Sequence, residues 1–326
     1  MDQYEKLNET EKKAFLAKLA HMYYELNMTQ VEIAASLSTT RFKVSKLLQE
    51  ARTQNVVEII INRPNERLQE IEALLTEQFN LKAAIVLDTH VIPYDETIPT
   101  LGKLGATYLE SIITDHSVIG VLWGKTIFNV IKHIKPQKKI PITAVQVLGA
   151  AAMDNPSVDS PELIQSLATI YGGKYKQLYA PLYIDNDYAR KALLQEPVIN
   201  DTLFLASKAD VVLTGVGTVD AVFSSTLWTN YLTKNKHHDL ISHKAVGCIY
   251  ARLYDINGMS IDVDINEKVI GLDLNTFRQA KYTIGVASGT YKAEAILGAL
   301  RGGFINVLIT DDTTALKVLS LNDSDL

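Results

Sequence analysis

Cysteine is almost absent from this chain. Cys248 is the sole one in 326 residues, so no disulfide can close within the chain, and a reducing cytoplasm is the expected setting. Long apolar runs are missing too. None approaches the roughly 18 residues of a membrane span, and the polar start MDQYEKLNETEKK has no signal-peptide core, so no membrane partner is expected. Positive charge is not in excess: 32 Lys and Arg against 37 Asp and Glu leave a net charge of −5, which argues against a uniformly basic polyanion binder. Histidine is scarce and scattered. Its densest set, His237, His238 and His243, lacks the spacing and partners of a metal site and suits a solvated loop. No Ser-His-Asp arrangement, paired-carboxylate signature or HExxH stretch occurs. Neither a catalytic residue nor a metal or other cofactor is therefore expected.

What is present begins with an ordinary globular composition, 47% hydrophobic and 21% charged, in a chain long enough for one large or two moderate domains. Thr29 to Ala51 reads TQVEIAASLSTTRFKVSKLLQEA and has the layout of a helix-turn-helix. Thr29 can cap a helix, and Glu32 three residues on completes a capping box. Ile33, Ala34 and Leu37 give that helix an apolar face. Ser38 and Thr39 supply the turn, and Thr40 can cap a second helix. There Val44, Leu47, Leu48 and Ala51 recur at i, i+3, i+4 and i+7, one buried stripe. At about 100° per residue the opposite side carries Phe42, Ser45, Lys46 and Gln49, with Lys43 on the flank. Such a face suits a DNA major groove, where Gln pairs with adenine, Lys with guanine and an apolar group with a thymine methyl. The candidate DNA contacts are Thr40, Arg41, Phe42, Lys43, Ser45, Lys46 and Gln49.

A plain helical hairpin would show the same amphipathic pair, but the flanks point to more. Upstream, Ala14, Leu16, Leu19, Ala20, Tyr23 and Tyr24 offer a third helix. Downstream, VVEIII from Val56 to Ile61 is a β-branched run that predicts a strand, the order of a winged helix-turn-helix. The charge is local as well. From Thr39 to Thr53 the cations are Arg41, Lys43, Lys46 and Arg52, with Glu50 the sole anion. So few cations imply tight DNA binding only from an oligomer that multiplies the phosphate contacts.

Pro64 in INRPNERLQE marks a boundary near residues 62–66. Leu68, Ile71, Leu74, Leu75 and Phe79 then form a helical stripe, which either enters the second domain or pairs with a partner subunit. From Ala83 on, the apolar runs AAIVL, SVIGVL, ITAVQVL, QLYAPLYI, DVVLTGV, KAVGCIYA, YTIGVA and NVLIT predict strands. Between most of them lie helical patterns: LGKLGATYLESII, TIFNVIKHI, PELIQSLATIY, AEAILGALRG and TTALKVL. Alternation of this kind predicts an α/β domain with a mainly parallel sheet. Ligands in such sheets bind beyond the carboxyl ends of the strands.

Three strand-to-helix junctions there are rich in small residues. Gly120 to Thr126, GVLWGKT, falls short of a nucleotide-binding loop, since Ile119 stands where G-x-x-x-x-G-K-[ST] needs glycine. It still offers Gly124 for a turn, with Lys125 and Thr126 opening a helix whose free N–H groups can hold a single phosphate; a plain helix cap is the alternative. Thr214 to Asp220 contributes Gly215 and Gly217, which serve at least as turn residues. Ala287 to Lys292 places Ser288 and Gly289 after a strand and Lys292 in the first turn of a helix. A cation there opposes the helix dipole by roughly 0.3–1 kcal/mol, a cost that a bound anion reverses and a solvent-facing lysine merely tolerates. Arg252 follows KAVGCIYA and precedes the turn sequence Asp255-Ile-Asn-Gly258. Asp262, Asp264 and Glu267 in IDVDINE are available to accept sugar hydroxyl hydrogens.

Taken together, YYELNMTQVEIAASL, TTRFKVSKLLQEA, GVLWGKT, GCIYARLYDINGMSID and VASGTYKAEAILGALRGGFINVLITDDTTA resemble the SorC family of sugar-binding transcriptional regulators across essentially the whole chain. The resemblance implies an α/β protein: an N-terminal winged helix-turn-helix over residues 1–62, and a Rossmann-like effector domain over residues 63–326, similar to sugar-phosphate isomerases. It implies operator DNA and a sugar or phosphosugar effector as partners, and a tetramer. Gly124 and Thr126 match the family's first phosphate-contacting loop, and Arg252 and Lys292 its basic effector contacts. Ser288 stands in place of a glycine of the usual Ala-Gly-Gly-x-x-Lys, and Phe42 departs from a common proline. Leu148 stands where the deoxyribose-phosphate branch has a lysine, which argues against a Schiff-base inducer. The expected effector set is Gly124, Lys125, Thr126, Gly217, Arg252, Asp264, Ser288, Gly289 and Lys292. The competing expectation is a sugar-phosphate isomerase or deaminase with an accessory helical domain; a third is a structural adaptor that binds neither DNA nor sugar.

Overall fold

The computed structural model describes residue 4 and residues 7–57, 67–151, 155–224 and 244–324. Its contacts divide the chain into two compact units, Met1–Pro64 and Asn65–Leu326. In the first, three helices enclose one small core: α1 (Glu9–Tyr24), α2 (Gln30–Ser36) and α3 (Arg41–Thr53). Leu16 and Leu19 of α1, Ile33 and Ala34 of α2, and Val44, Leu47, Leu48 and Ala51 of α3 are buried against one another. Thr29 and Glu32 form the expected capping box, the Glu32 N–H donating to Thr29 Oγ1 and the Thr29 N–H to Glu32 Oε2. The end of α2 is equally local. Ser38 takes φ +49°, the Ser38 N–H donates to the Ala35 carbonyl and the Thr39 N–H to the Ala34 carbonyl. That pair of bonds is a Schellman close, with serine in the place glycine usually holds. Beyond α3, Val56 and Val57 pack on this core. The strand expected over VVEIII and the boundary at 62–66 lie mainly outside the described residues, as do His237, His238 and His243.

The second unit is a doubly wound parallel sheet. Its strands are β1 (Ala83–Leu87), β2 (Val118–Val121), β3 (Thr143–Gln146), β4 (Lys174–Lys176), β5 (Val211–Gly215), β9 (Tyr282–Val286) and β10 (Val307–Asp311). They stand in the order β1-β10-β9-β5-β2-β3-β4, with every pairing parallel. Side chains alternate between two apolar layers, as a period of two requires. Ala84 and Val86 of β1, Val212 of β5 and Leu308 of β10 face one core. Ile85 and Leu87, Val211 and Leu213, and Val307 and Ile309 face the other. The first layer is completed by α4 (Gln69–Gln78), α13 (Ala293–Arg301) and α14 (Asp312–Ser324), the second by α5 (Tyr94–Ile112), α6 (Lys125–His133) and α7 (Ser160–Tyr171). A smaller antiparallel sheet joins β6 (Gly217–Thr218), β7 (Ala245–Ile249) and β8 (Arg252–Asp255). The remaining α-helices among the described residues are α8 (Asp187–Gln195), α9 (Pro197–Ala206), α10 (Val219–Ser224), α11 (Asp264–Lys268) and α12 (Leu274–Phe277). No helix among the described residues is long and apolar enough to cross a membrane.

Several elements differ from the sequence expectation. QLYAPLYI forms no strand but isolated bridges, Ala150 to Pro181 and Tyr183 to Val269, because Pro181 has no N–H for a ladder. The edge strand is instead β4, just earlier in the chain. Helix α5 starts at Tyr94, well before Leu101, and carries Pro99 inside it. The stripe of α4 packs on its own sheet at β1, where Arg67 forks onto Glu72 and Glu72 Oε1 also accepts the Val86 N–H. Arg252, expected to follow a strand, itself opens β8. The hairpin reverses at Tyr250 and Ala251, both at positive φ (53° and 56°), the turn that matches the right-handed twist of paired strands. Neither residue type favours this conformation. Tyr250 is held in it by stacking on Phe277 with centroids 3.6 Å apart and by a hydrogen bond from its hydroxyl to the Phe304 carbonyl. The expected turn at Asp255–Gly258 also forms, closed by the Gly258 N–H on the Asp255 carbonyl.

Candidate functional site

On α3 the core stripe leaves an outward face. Thr40 caps the helix by accepting the Lys43 N–H at 3.3 Å. Arg41, Phe42, Ser45, Lys46 and Gln49 are exposed and Lys43 is half-buried. Phe42, at 81% exposure, cannot be a core residue of this unit. The one anion of the segment is half-buried and occupied: Glu50 accepts hydrogen bonds from the Tyr4 hydroxyl at 2.8 Å and from Gln54 Nε2 at 3.0 Å. Burial, reinforced by this bond, raises the Tyr4 hydroxyl pKa, so Tyr4 stays a donor to Glu50. The exposed face therefore presents cations, a polar amide and an aromatic ring without an exposed carboxylate among them.

The larger unit has its candidate site at the carboxyl ends of β2 and β5. These strands are neighbours, yet the chain leaves β2 toward β3 on one side, while β5 has β9 on the other. The diverging connections open a crevice at this switch point. It holds a cavity of about 360 Å³. One wall is Leu122 to Thr126, a second Thr214 to Thr218, a third the hairpin residues Cys248 to Ala251, and Lys292 completes it. Gly124 caps α6 at φ +128°, a conformation closed to side chains, and its own N–H is used by the Val158 carbonyl at 2.8 Å. No side chain caps α6, so the amides of its first turn have no side-chain acceptor. A Cβ at Gly215 would sit 3.3 Å from Thr126 Oγ1; glycine keeps the space beside that hydroxyl open.

Lys292 ends a short 3₁₀ turn, Thr290–Lys292, ahead of α13. Burial lowers its pKa, and no ion pair holds it among the described residues. A half-buried ammonium without a carboxylate, opposite an uncapped helix start, is an arrangement that stabilises a bound anion. Trp123 lines the same cavity.

Of the residues expected here, Gly124, Lys125, Thr126, Gly217 and Lys292 line this cavity, and the other four do not. Arg252 faces a different cavity of about 750 Å³, with Arg190, Asp262, Glu267 and Arg278. Its guanidinium is taken up by backbone: Nη1 donates to the Asn266 carbonyl, Nε and Nη2 to the Leu272 carbonyl at 3.3 and 3.2 Å. Asp264 heads the short helix α11, exposed and 3.5 Å from Lys268 Nζ. Ser288 and Gly289 serve an internal carboxylate. The Gly289 N–H donates to Asp311 Oδ2 at 3.1 Å and Thr314 Oγ1 at 2.8 Å, and the Ser288 hydroxyl donates to Asp311. Burial alone would raise the Asp311 pKa; hydrogen bonds from Thr313, Ser288 and Thr314 overcome that and lower it. Asp311 thus anchors the loop that carries Lys292. Trp123 and the hairpin wall were not among the expected residues. The wall comes from a turn of Tyr and Ala, which has none of the usual turn signals.

Residues 63–320 match the family model described as "Putative sugar-binding domain". The sorbitol operon regulator of Klebsiella pneumoniae is 31% identical over 312 residues, which cover 93% of this chain and 97% of that protein. The deoxyribonucleoside regulator of Bacillus subtilis (strain 168) is 29% identical over 310 residues, 95% of this chain and 98% of that protein. The crystal structure of the full-length sorbitol operon regulator SorC from Klebsiella pneumoniae matches with a TM-score of 0.75 at 28% identity, over 96% of this chain and 99% of that one. These relatives are named as regulators, not enzymes. On the family match and the full-length identity together, the chain belongs to the SorC family of sugar-binding transcriptional regulators.

Proposed function

We propose that this protein is a DNA-binding transcriptional regulator of a carbohydrate-utilisation operon, controlled by a sugar or sugar phosphate. Residues 1–62 hold the operator and residues 63–326 hold the effector. The observation that carries the reading is Lys292, a half-buried cation with no ion-pair partner among the described residues, lining one cavity with the uncapped start of α6. A phosphate or a sugar carboxylate supplies the missing anion, Thr126 its hydroxyl partner, and Trp123 a face for the sugar ring. Thr40, Arg41, Phe42, Lys43, Ser45, Lys46 and Gln49 contact DNA, bases through Ser45 and Gln49 and the phosphate backbone through Thr40, Arg41 and Lys46. The protein acts as a tetramer, whose repeated helices compensate for the few cations on each α3. By linkage, the effector alters DNA binding only as far as it favours one binding state over another.

A thermal-shift screen of neutral sugars and sugar phosphates tests this, followed by operator binding with and without the hit. Stabilisation at 100-fold excess over Kd should reach about 2.7 kcal/mol. A hit that leaves operator affinity unchanged overturns the proposed control, and sustained turnover of a sugar phosphate overturns the regulator reading itself.

A further inference from the structure

A separate cluster lies at the edge of the parallel sheet, where β1 and β10 end. Asp88 and His90 follow β1, and Asp312 opens α14 directly after β10. One ligand atom from each lies within 4.8 Å of the other two. His90 Nδ1 is 2.8 Å from Asp88 Oδ1 and 3.5 Å from Asp312 Oδ2. The imidazole thus aims a single nitrogen at both carboxylates rather than at solvent.

Asp312 is the informative member. Its side chain is only 4% exposed, and a carboxylate so buried is costly unless a cation or several donors meet it. Oδ1 has one donor, the Thr89 hydroxyl at 2.5 Å. Oδ2 has no hydrogen bond among the described residues, and its one ion-pair contact there is with His90 Nδ1 at 3.5 Å, longer than a good hydrogen bond. The start of α14 contributes only a partial positive charge. Asp311, next in the chain, shows the contrast: three hydroxyls and two amides surround it.

We propose that Asp88, His90 and Asp312 form a binding site for a divalent first-row transition-metal ion. Two carboxylates and a neutral imidazole balance a charge of +2, and mixed oxygen and nitrogen ligands suit Zn²⁺ or Mn²⁺ better than Mg²⁺. Asp312 binds through Oδ2, while Thr89 holds Oδ1 and orients the carboxylate. His90 binds through Nδ1, so the ion replaces the proton that otherwise bridges to Asp88. Three protein ligands leave positions for water, which makes the ion exchangeable. The site ties the β1–α5 loop to the start of α14, joining segments that are 223 residues apart at Thr89 and Asp312.

Equilibrium dialysis of the full chain against Zn²⁺ and, separately, Mn²⁺, with metal analysis, tests the assignment. His90→Gln and Asp312→Asn should each lose one bound ion per chain relative to the parent, with unchanged circular dichroism. Where Asp312→Asn does not fold, His90→Gln decides, since that side chain is 78% exposed and carries no packing role. Retention of the ion by folded His90→Gln, or no binding by the parent at millimolar metal, overturns the proposal and leaves an imidazolium held by two carboxylates.

Discussion

Arg252 and Lys292 are both cations drawn in from solvent in the larger unit, and they are employed in opposite ways. Arg252 spends its guanidinium on the carbonyls of Asn266 and Leu272. Lys292 has no ion pair among the described residues and lines a cavity whose opposite wall is an uncapped helix start. Burial lowers the pKa of both. The difference lies in what is left over after folding. Arginine's planar fork suits fixed carbonyls, whereas an ammonium on a flexible stem can wait for a ligand. Arg252 is consumed by the fold, whereas Lys292 is left without an ion pair among the described residues.

That contrast can be broken most forcefully at Arg252. Arg252→Met should destabilise the protein by about 3 kcal/mol, because buried carbonyls lose their donors. Chemical denaturation measures this, and effector affinity per folded molecule should stay unchanged. A loss of affinity without a loss of stability would move Arg252 into the effector site. Next in size, Lys292→Ala should weaken an anionic effector about 10- to 100-fold, the loss of one charge-assisted bond of about 1.5–3 kcal/mol. Stability should hold or rise slightly, and DNA binding without effector should persist. A full response in this variant would remove Lys292 from the site.

The pH dependence sharpens the same point. In the free protein the Lys292 pKa is lowered by burial, and a bound anion raises it again. The complex then holds more protons than the free protein, so affinity falls as pH rises through the lowered value. Titration calorimetry across the alkaline range should show this decline for the parent and not for Lys292→Ala. The smallest effect belongs to an exposed cation, Lys46 of α3. Lys46→Ala should reduce the salt slope of operator binding by about 0.9 for each phosphate that Lys46 neutralises. An unaltered slope and affinity would take Lys46 off the DNA.

The helical unit was legible because its signals are short-range. Thr29 and Glu32 cap α2 from three residues apart, and Val44, Leu47, Leu48 and Ala51 repeat at helical spacing. Most strands were legible as β-branched runs. QLYAPLYI misled because its composition is right for a strand and a single proline denies it the ladder. The early start of α5 was hidden by Pro99, which normally signals a helix end. Ser288 and Gly289 have the composition of a phosphate loop, but Asp311, 22 residues further on, claims the Gly289 amide. No local pattern announces that claim.

The sequence by itself determined the chain's two-part character, the outward face of α3, the parallel α/β architecture and the glycine-marked start of α6. Each follows from caps, periodicity and turn chemistry acting over a few residues. Only the tertiary structure decided that Lys292 joins Thr126 in one cavity while Arg252 does not, and that Asp88, His90 and Asp312 converge. Those outcomes depend on which strand ends become neighbours. Strand order in a parallel sheet is set by crossover connections and by packing over long sequence separations.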